Sequence, residues 1–217
     1  MQRLSEIQNE QTLCLDNVIV PLPDATNPLW QGYWIPADCD HSETLSVFVE
    51  RILDKLSISR ERDPLAPLTV TFINRMGSRK LQNISKLLSY LLAAFPEVIV
   101  NVVDFAATQF REQLTLVQQT DILAGVHGAG LTHAMFLKPG SSVVEIIPAD
   151  CAHKGFRNLA KLRGHQYFSA HATQLAPKET ENWQENNVII EPERFIGLMD
   201  VATKSIHNRG ELDLDIE

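Results

Sequence analysis

A glycine-rich segment in the middle of the chain has the residue types of an anion-binding loop. Gly125, Gly128 and Gly130 enclose His127 and Ala129 in the run GVHGAG. The first two residues of this run are the last two of the apolar segment DILAGV. Small residues let a backbone approach a ligand closely, and the first amides of a following helix point towards a bound anion. The segment therefore predicts a diphosphate site. Its spacing also fits a tight strand-to-helix turn, and His127 would either donate to a phosphate or hold the shape of the loop.

Arg75 and Arg79 are further candidates for binding an anion. Arg75 ends the β-branched run LTVTFINR, and Arg79 and Lys80 are expected to open the next helix. An arginine at a strand end is more often part of a surface ion pair. Its planar fork can also neutralise a leaving diphosphate, the work that a metal ion does at many phosphate sites. We predict Arg75 as the catalytic residue, and Arg75 and Arg79 as ligand-binding residues.

Two carboxylates have settings that fit ligand binding. Asp104 follows the short apolar run VIVNVV, and Glu145 lies within VVEII. Both would accept hydrogen bonds from a ribose or a base, or else cap a helix or pair with a lysine. A carboxylate amid VVEII needs a partner if it is buried. His127 and His133 are six residues apart and would lie on divergent faces of a helix, so no metal pair is expected.

Strands and helices alternate after residue 64. Strands are predicted at residues 68–75, 98–103, 121–126, 142–147 and, at an edge, 166–169, and helices at 78–95, 108–119, 151–163 and 192–207. Such alternation implies an α/β fold with a Rossmann-like parallel sheet that is covered on both faces. Ligands bind outside the carboxyl ends of such strands, where Arg75 and the glycine loop would lie.

The first part of the chain has a different character. Four prolines punctuate the irregular segment before residue 42, and apolar residues then recur at three- and four-residue spacing over 42–59, which predicts one helix. Pro64 and Pro67 mark a boundary. We predict that residues 1–63 form an extended strap and a helix, and that residues 64–217 form the nucleotide-binding domain.

Composition excludes several classes of protein. The chain has 217 residues and a formal net charge of -8, which gives no overall electrostatic footprint for nucleic acid or an anionic membrane. It contains no apolar stretch long enough for a membrane helix. Its three cysteines, Cys14, Cys39 and Cys151, are odd in number and widely spaced, which disfavours a disulfide scaffold and a zinc site.

Several separated blocks resemble glycosyltransferase family 61, and within it the group that transfers O-linked N-acetylglucosamine to EGF domains. The blocks are LCLDNVIVPL, INR followed by SRKLQN, TDILAGVHGAGLTHAMFLKPGSSVVEI and LAKLRGHQY. The resemblance implies a GT-B-like fold of two Rossmann-type domains, of which this chain would hold the donor-binding one. It also implies UDP-N-acetylglucosamine as donor, inversion at the anomeric carbon, and transfer to Ser or Thr of an acceptor protein without an obligatory metal or other cofactor.

By this resemblance Arg75 and the GVHGAG loop would hold the diphosphate, and Glu145 would help to fix the nucleotide. The family pattern also includes an amino-terminal domain that supplies much of the acceptor site and a signal sequence for the endoplasmic reticulum or Golgi lumen. This chain begins with a polar segment and ends in LDLDIE. Residues 1–63 would then be a linker remnant of that domain, and the chain a fragment or a diverged remnant.

Two other functions compete with an active transferase. One is a catalytically inactive module that binds a nucleotide sugar but lacks the acceptor domain. The other is a nicotinamide-dependent dehydrogenase. The second is disfavoured because GVHGAG is not the Gly-x-Gly-x-x-Gly of dinucleotide folds and follows the third predicted strand rather than the first.

Overall fold

The computed structural model describes residues 39–63, 65–149, 151–173, 182 and 184–208. The chain divides into two compact units, Met1–Gln31 and Gly32–Glu217, and every described residue belongs to the second. The predicted strap over residues 1–38 lies outside the described residues. The predicted division at residue 64 stays a prediction.

Five parallel strands form the single described sheet. They are β1 (Thr69–Ile73), β2 (Ile99–Val103), β3 (Ile122–Val126), β4 (Ser142–Ile147) and β5 (Gln166–His171). Their order in the sheet is β2-β1-β3-β4-β5, so β3 is the central strand and β1 and β4 lie on either side of it. The prediction of a parallel α/β sheet is confirmed, and β5 is an edge strand as expected.

Helices cover both faces of this sheet. They are α1 (Glu43–Lys55), α2 (Ile84–Ala94), α3 (Phe110–Gln118), α4 (Gly155–Leu162) and α5 (Pro192–His207), and 3₁₀ helices span Phe105–Ala107 and Ala129–Phe136. One core packs Val70 and Phe72 of β1 against α2 and α5, through residues such as Leu87 and Phe195. The alternate side chains of the strands face α3, α4 and the second 3₁₀ helix. No helix in the described ranges is long and apolar enough to cross a membrane.

The helix predicted for residues 78–95 begins only at Ile84. Arg79 has a left-handed backbone with φ of 55°, and Lys80 and Gln82 exchange backbone hydrogen bonds with Val188. These groups are therefore unable to join a helical ladder. The prediction that Arg79 and Lys80 open a helix is wrong, because both lie in the loop between β1 and α2. Residues 151–154 likewise precede α4 rather than belonging to it.

The helix predicted over residues 42–59 is present as α1. Ser42 caps its amino terminus by accepting the amide of Leu45 at 3.3 Å. Arg163 links α1 to the rest of the unit, since its Nη1 donates to Ser46 Oγ at 2.7 Å and its Nε to the Met135 carbonyl at 3.0 Å. This arginine therefore ties α1, the second 3₁₀ helix and the end of α4 together.

Candidate functional site

The carboxyl ends of β1 and β3 form the topological switch point of the sheet. The chain leaves β1 towards β2 on one side and leaves β3 towards β4 on the other, so a crevice opens between their ends. Arg75 lies two residues beyond β1, and the glycine loop begins within the last residues of β3. The two parts of the predicted site therefore lie at the same edge, on neighbouring strands.

The guanidinium groups of two arginines converge on Gly128. Arg75 donates from Nε to the Ser78 carbonyl at 2.9 Å, and its Nη1 lies so close to Gly128 that it would clash with a Cβ there. Arg79 Nη2 is 3.4 Å from the same position. Burial lowers the pKa of Arg75, and the nearby Asp104 carboxylate opposes this shift. The pKa of Arg79 is lowered by burial and, to a smaller extent, by the charge of Arg75. Both groups stay cationic at neutral pH, so positive charge accumulates at the loop.

Each glycine of the loop has a steric reason to be small. Gly128 has φ of 154° and ψ of 176°, a backbone region that is essentially restricted to glycine. A Cβ on Gly125 would lie 3.1 Å from Ile73 Cβ, and one on Gly130 would lie 2.9 Å from Ile73 Cγ2. Ala129 then begins the 3₁₀ helix. Small residues thus hold the loop close to β1, beside the arginines.

The buried carboxylate of Glu145 has the partners that its position in VVEII demands. Its side chain is 0% exposed, Oε1 accepts from His127 Nδ1 at 2.5 Å, and Oε2 accepts from Tyr167 Oη at 2.5 Å. Because both oxygens are engaged, any part that Glu145 plays in ligand binding is exerted through His127. Asp104 Oδ1 accepts from the Ala106 amide at 2.9 Å, so it caps the short 3₁₀ helix and also places a negative charge near Arg75.

His127 lies beneath the loop rather than on its surface. Its side chain is 7% exposed, and its ring centroid is 5.0 Å from that of His153 and 5.1 Å from that of Phe156. Burial by itself lowers the pKa of His127, but hydrogen bonds to Cys151 and Glu145 and the Glu145 charge raise that pKa to about 9. Of the two roles expected from the sequence, this geometry favours holding the shape of the loop.

His133 gives the loop a second support. Its Nδ1 donates to the Gly130 carbonyl at 2.9 Å, and its Nε2 lies 2.6 Å from Gln113 Oε1. The Gln113 amide in turn donates to the Phe105 carbonyl at 2.6 Å. The glycine loop is thereby tied to the segment that follows β2. Among the described residues, no group of three or more His, Cys, Asp and Glu side chains is arranged to hold a metal ion.

Sequence reasoning missed three side chains of this site. Tyr167 lies in the block LAKLRGHQY, so its block carried a signal, but nothing in the sequence paired it with Glu145. Cys151 and His153 reach His127 only because the segment after β4 returns to the end of β3. Such contacts depend on strand register and loop path, which the sequence pattern does not specify.

Replacing Gly128 by alanine tests the backbone argument. We expect Gly128→Ala to lower the free energy of unfolding by about 1–3 kcal/mol, because alanine is strained in this region and its methyl group displaces the Arg75 guanidinium. Urea unfolding measures this. The matched control is Gly197→Ala in α5, where a Cβ meets nothing within 4 Å and is expected to stabilise the helix. Equal stability of Gly128→Ala and the parent chain would contradict the argument.

Comparison with known proteins places these residues in a family. The family model for Glycosyltransferase 61 matches residues 28–144. The EGF domain-specific O-linked N-acetylglucosamine transferase of Xenopus laevis is 32% identical over 169 residues, which cover 76% of this chain and 32% of the relative. The protein of the same name in Drosophila melanogaster is 29% identical over 218 residues, which cover 96% of this chain and 41% of the relative. The chain thus spans about a third to two-fifths of the length of these relatives.

One solved structure that aligns with the chain is titled a putative D-3-phosphoglycerate dehydrogenase from Ralstonia solanacearum. The alignment covers 78% of this chain and 62% of the dehydrogenase chain, with 14% sequence identity and a TM-score of 0.32. That similarity is too low to support a fold or a function. The family match, by contrast, covers more than half of the chain and includes β1 to β3, both arginines and the whole glycine loop. The chain belongs to the glycosyltransferase 61 family.

Proposed function

We propose that this chain is the donor-binding part of an inverting glycosyltransferase, which transfers N-acetylglucosamine from UDP-N-acetylglucosamine to a Ser or Thr hydroxyl of a protein. The observation that carries the proposal is the convergence of Arg75 and Arg79 on Gly128 at the β1/β3 switch point. Family membership supports the reaction class. The names of the relatives support N-acetylglucosamine as the sugar and an EGF domain as the acceptor.

The reaction breaks the bond between the anomeric carbon and a diphosphate oxygen. The acceptor hydroxyl oxygen attacks from the opposite face, its proton passes to a general base, and UDP leaves with the electron pair. Negative charge therefore grows on the diphosphate as the bond breaks. Fixed cations and amides that meet this growing charge stabilise the transition state more than the bound donor.

The site residues take distinct parts in this proposal. Arg75 is the catalytic residue, because its planar fork neutralises the leaving diphosphate, and Arg79 is the second cation. The amides at Gly128, Ala129 and Gly130 begin a helix and have no partners within its first turn, so they suit the phosphate oxygens.

The remaining residues support those groups. Gly125 keeps the loop against β1, Asp104 balances Arg75, and Glu145 and His127 hold the loop from below. With positive charge fixed by side chains, the proposed donor site needs no divalent metal and no cofactor. The general base and most of the acceptor site are assigned to the remainder of a longer protein. By the same relationship, the proposed compartment is the lumen of the endoplasmic reticulum or the Golgi.

Titration calorimetry of the chain with UDP and ADP tests the proposal. We expect UDP to bind more tightly than ADP, with the same affinity in EDTA as without it, because arginines and amides take the place of a divalent cation. Absence of UDP binding would refute the donor site, and loss of binding in EDTA would refute its metal independence. An inactive module also predicts UDP binding, so the two are separated by release of UDP from UDP-N-acetylglucosamine in the presence of a folded EGF domain, measured on a longer protein that supplies the general base and the acceptor site together with this part.

A further inference from the structure

We propose that Glu145 and Tyr167 are positioning residues that hold His127 as an imidazolium, so that the positive end of a buried ion pair lies beneath the phosphate-binding loop. The inference rests on the proposed function for its benefit to ligand binding. The charge state itself is a property of the unliganded chain and can be measured without any ligand.

The three side chains form a row across the sheet on one face. Gly125 of β3 is in register with Glu145 of β4, and Val143 of β4 is in register with Tyr167 of β5. Since side chains alternate along a strand, His127, Glu145 and Tyr167 all face the side that α4 covers. Phe156 of α4 packs against the His127 ring, which confirms that side.

Burial requires that any charge in this row has a partner within the row. A carboxylate that is 0% exposed is costly to hold as an anion unless it is paired and hydrogen-bonded. Tyr167 keeps its proton because burial and then the Glu145 charge raise its pKa, and its hydroxyl donates to Oε2 at 2.5 Å. His127 binds Oε1 at 2.5 Å through Nδ1 and supplies the compensating charge.

The groups that face His127 come from four parts of the fold. Glu145 and, behind it, Tyr167 lie on the sheet, Cys151 and His153 on the segment after β4, Phe156 on α4, and Arg75 and Arg79 beyond Gly128. Arg157 of α4 acts on Tyr167. Hydrogen bonds to Cys151 and to Glu145 both raise the pKa of His127, and Glu145 is the one carboxylate in this set.

The position of the His127–Glu145 pair would allow it to assist ligand binding. His127 and Glu145 are neutral together, but His127 is the member that is adjacent to Gly128 in the chain, where the two arginines converge. The positive member of the pair is therefore the one nearer the loop in the chain, and the negative member is fully buried in the sheet. A diphosphate at the loop would meet this charge in addition to those of Arg75 and Arg79.

Nuclear magnetic resonance of the histidine side chains tests the charge state in the unliganded chain. The His127 signal is assigned by its loss in His127→Gln and followed from pH 5 to pH 10. We expect His127 to be protonated at pH 7.5 in the parent chain, and its titration to fall below pH 7.5 in Glu145→Gln, where Cys151 but no carboxylate opposes the effect of burial. A neutral His127 at pH 7.5 in the parent chain overturns the proposal, even if Glu145→Gln fails to fold.

Calorimetry with UDP tests the consequence. At pH 7.5 we expect Glu145→Gln to bind UDP about tenfold more weakly than the parent chain, and the deficit to narrow at pH 5.5 as His127 regains its proton. We expect Tyr167→Phe, which frees one oxygen of the carboxylate, to weaken binding by about 3- to 10-fold with His127 still protonated. Tyr90→Phe, at an exposed tyrosine of α2, is the matched control and should bind normally.

The possible results separate the two proposals. Deficits of equal size at both pH values, or unchanged binding by Glu145→Gln and Tyr167→Phe, would overturn the positioning role. A parent chain that keeps His127 protonated but binds no UDP would refute the donor site and leave the assigned charge state in place.

Discussion

Arg75→Ala is expected to weaken UDP binding to this chain by about 10- to 100-fold, the usual loss when a charge-assisted hydrogen-bonding partner is removed. The guanidinium is held by the Ser78 carbonyl and lies against Gly128, so it is positioned before the ligand arrives. Arg75→Lys keeps the charge but loses the planar fork and the Nε contact, and should bind with intermediate affinity. Calorimetry on the three chains measures the series.

The same series should affect transfer more than binding. In a longer family member that carries this part, Arg75→Lys is expected to reduce turnover by about two orders of magnitude, because Arg75 meets charge that develops as the glycosidic bond breaks. Arg194→Ala, at an exposed arginine of α5, is the matched control. Unchanged UDP affinity and transfer in Arg75→Ala would make Arg75 a surface residue and would remove the proposed catalytic role.

The elements that position Arg75 follow largely from the sequence. β-Branched runs and glycine punctuation predicted all five strands, and the bounds of β4 and α5 agree with the expected residues 142–147 and 192–207. β4 is buried on both faces and α5 is amphipathic, so in these two elements the local pattern and the tertiary environment favour the same structure.

The loop after β1 shows where such reasoning stops. Its residues have ordinary helix propensity, and Leu81 fits the apolar period of α2. The structure instead pairs this segment with Val188, more than a hundred positions later, and Arg79 adopts a left-handed backbone. A long-range pairing of this kind outweighs local propensity. It also turns the Arg79 side chain towards Gly128, which a helix beginning at residue 78 would not require.

The pairing of charged side chains within the sheet could not be predicted from the sequence either. The run VVEII indicates that Glu145 needs a partner, but not which one, because both partners are set by register across β3, β4 and β5. The sequence likewise does not indicate that the environments of His127 and His165 have opposite effects on the two pKa values. His127 faces a carboxylate, whereas His165 is buried beside the charge of Arg163.

Because the pKa of His127 is raised and that of His165 is lowered, the free energy of unfolding is predicted to be largest near pH 6.5. The pKa of His127 is raised to about 9, so its contribution is fully present below the ordinary value of 6.5 and is lost as the pH rises through 9. Burial, and then the Arg163 charge, lower the pKa of His165 to about 4. Because the unfolded chain binds this proton more readily, His165 costs stability as the pH falls from 6.5 towards 4.

Urea unfolding at pH 5, 6.5 and 8.5 measures both limbs of this curve. From pH 6.5 we expect losses of about 2 kcal/mol towards pH 8.5 and about 1 kcal/mol towards pH 5, where a small gain from His127 offsets part of the loss from His165. His127→Gln should flatten the alkaline limb alone, and His165→Asn the acid limb alone, although each variant is less stable at pH 6.5. His41→Gln, at an exposed histidine near α1, should leave both limbs unchanged. An alkaline limb that persists in His127→Gln would show that the buried ion pair with Glu145 does not stabilise the fold.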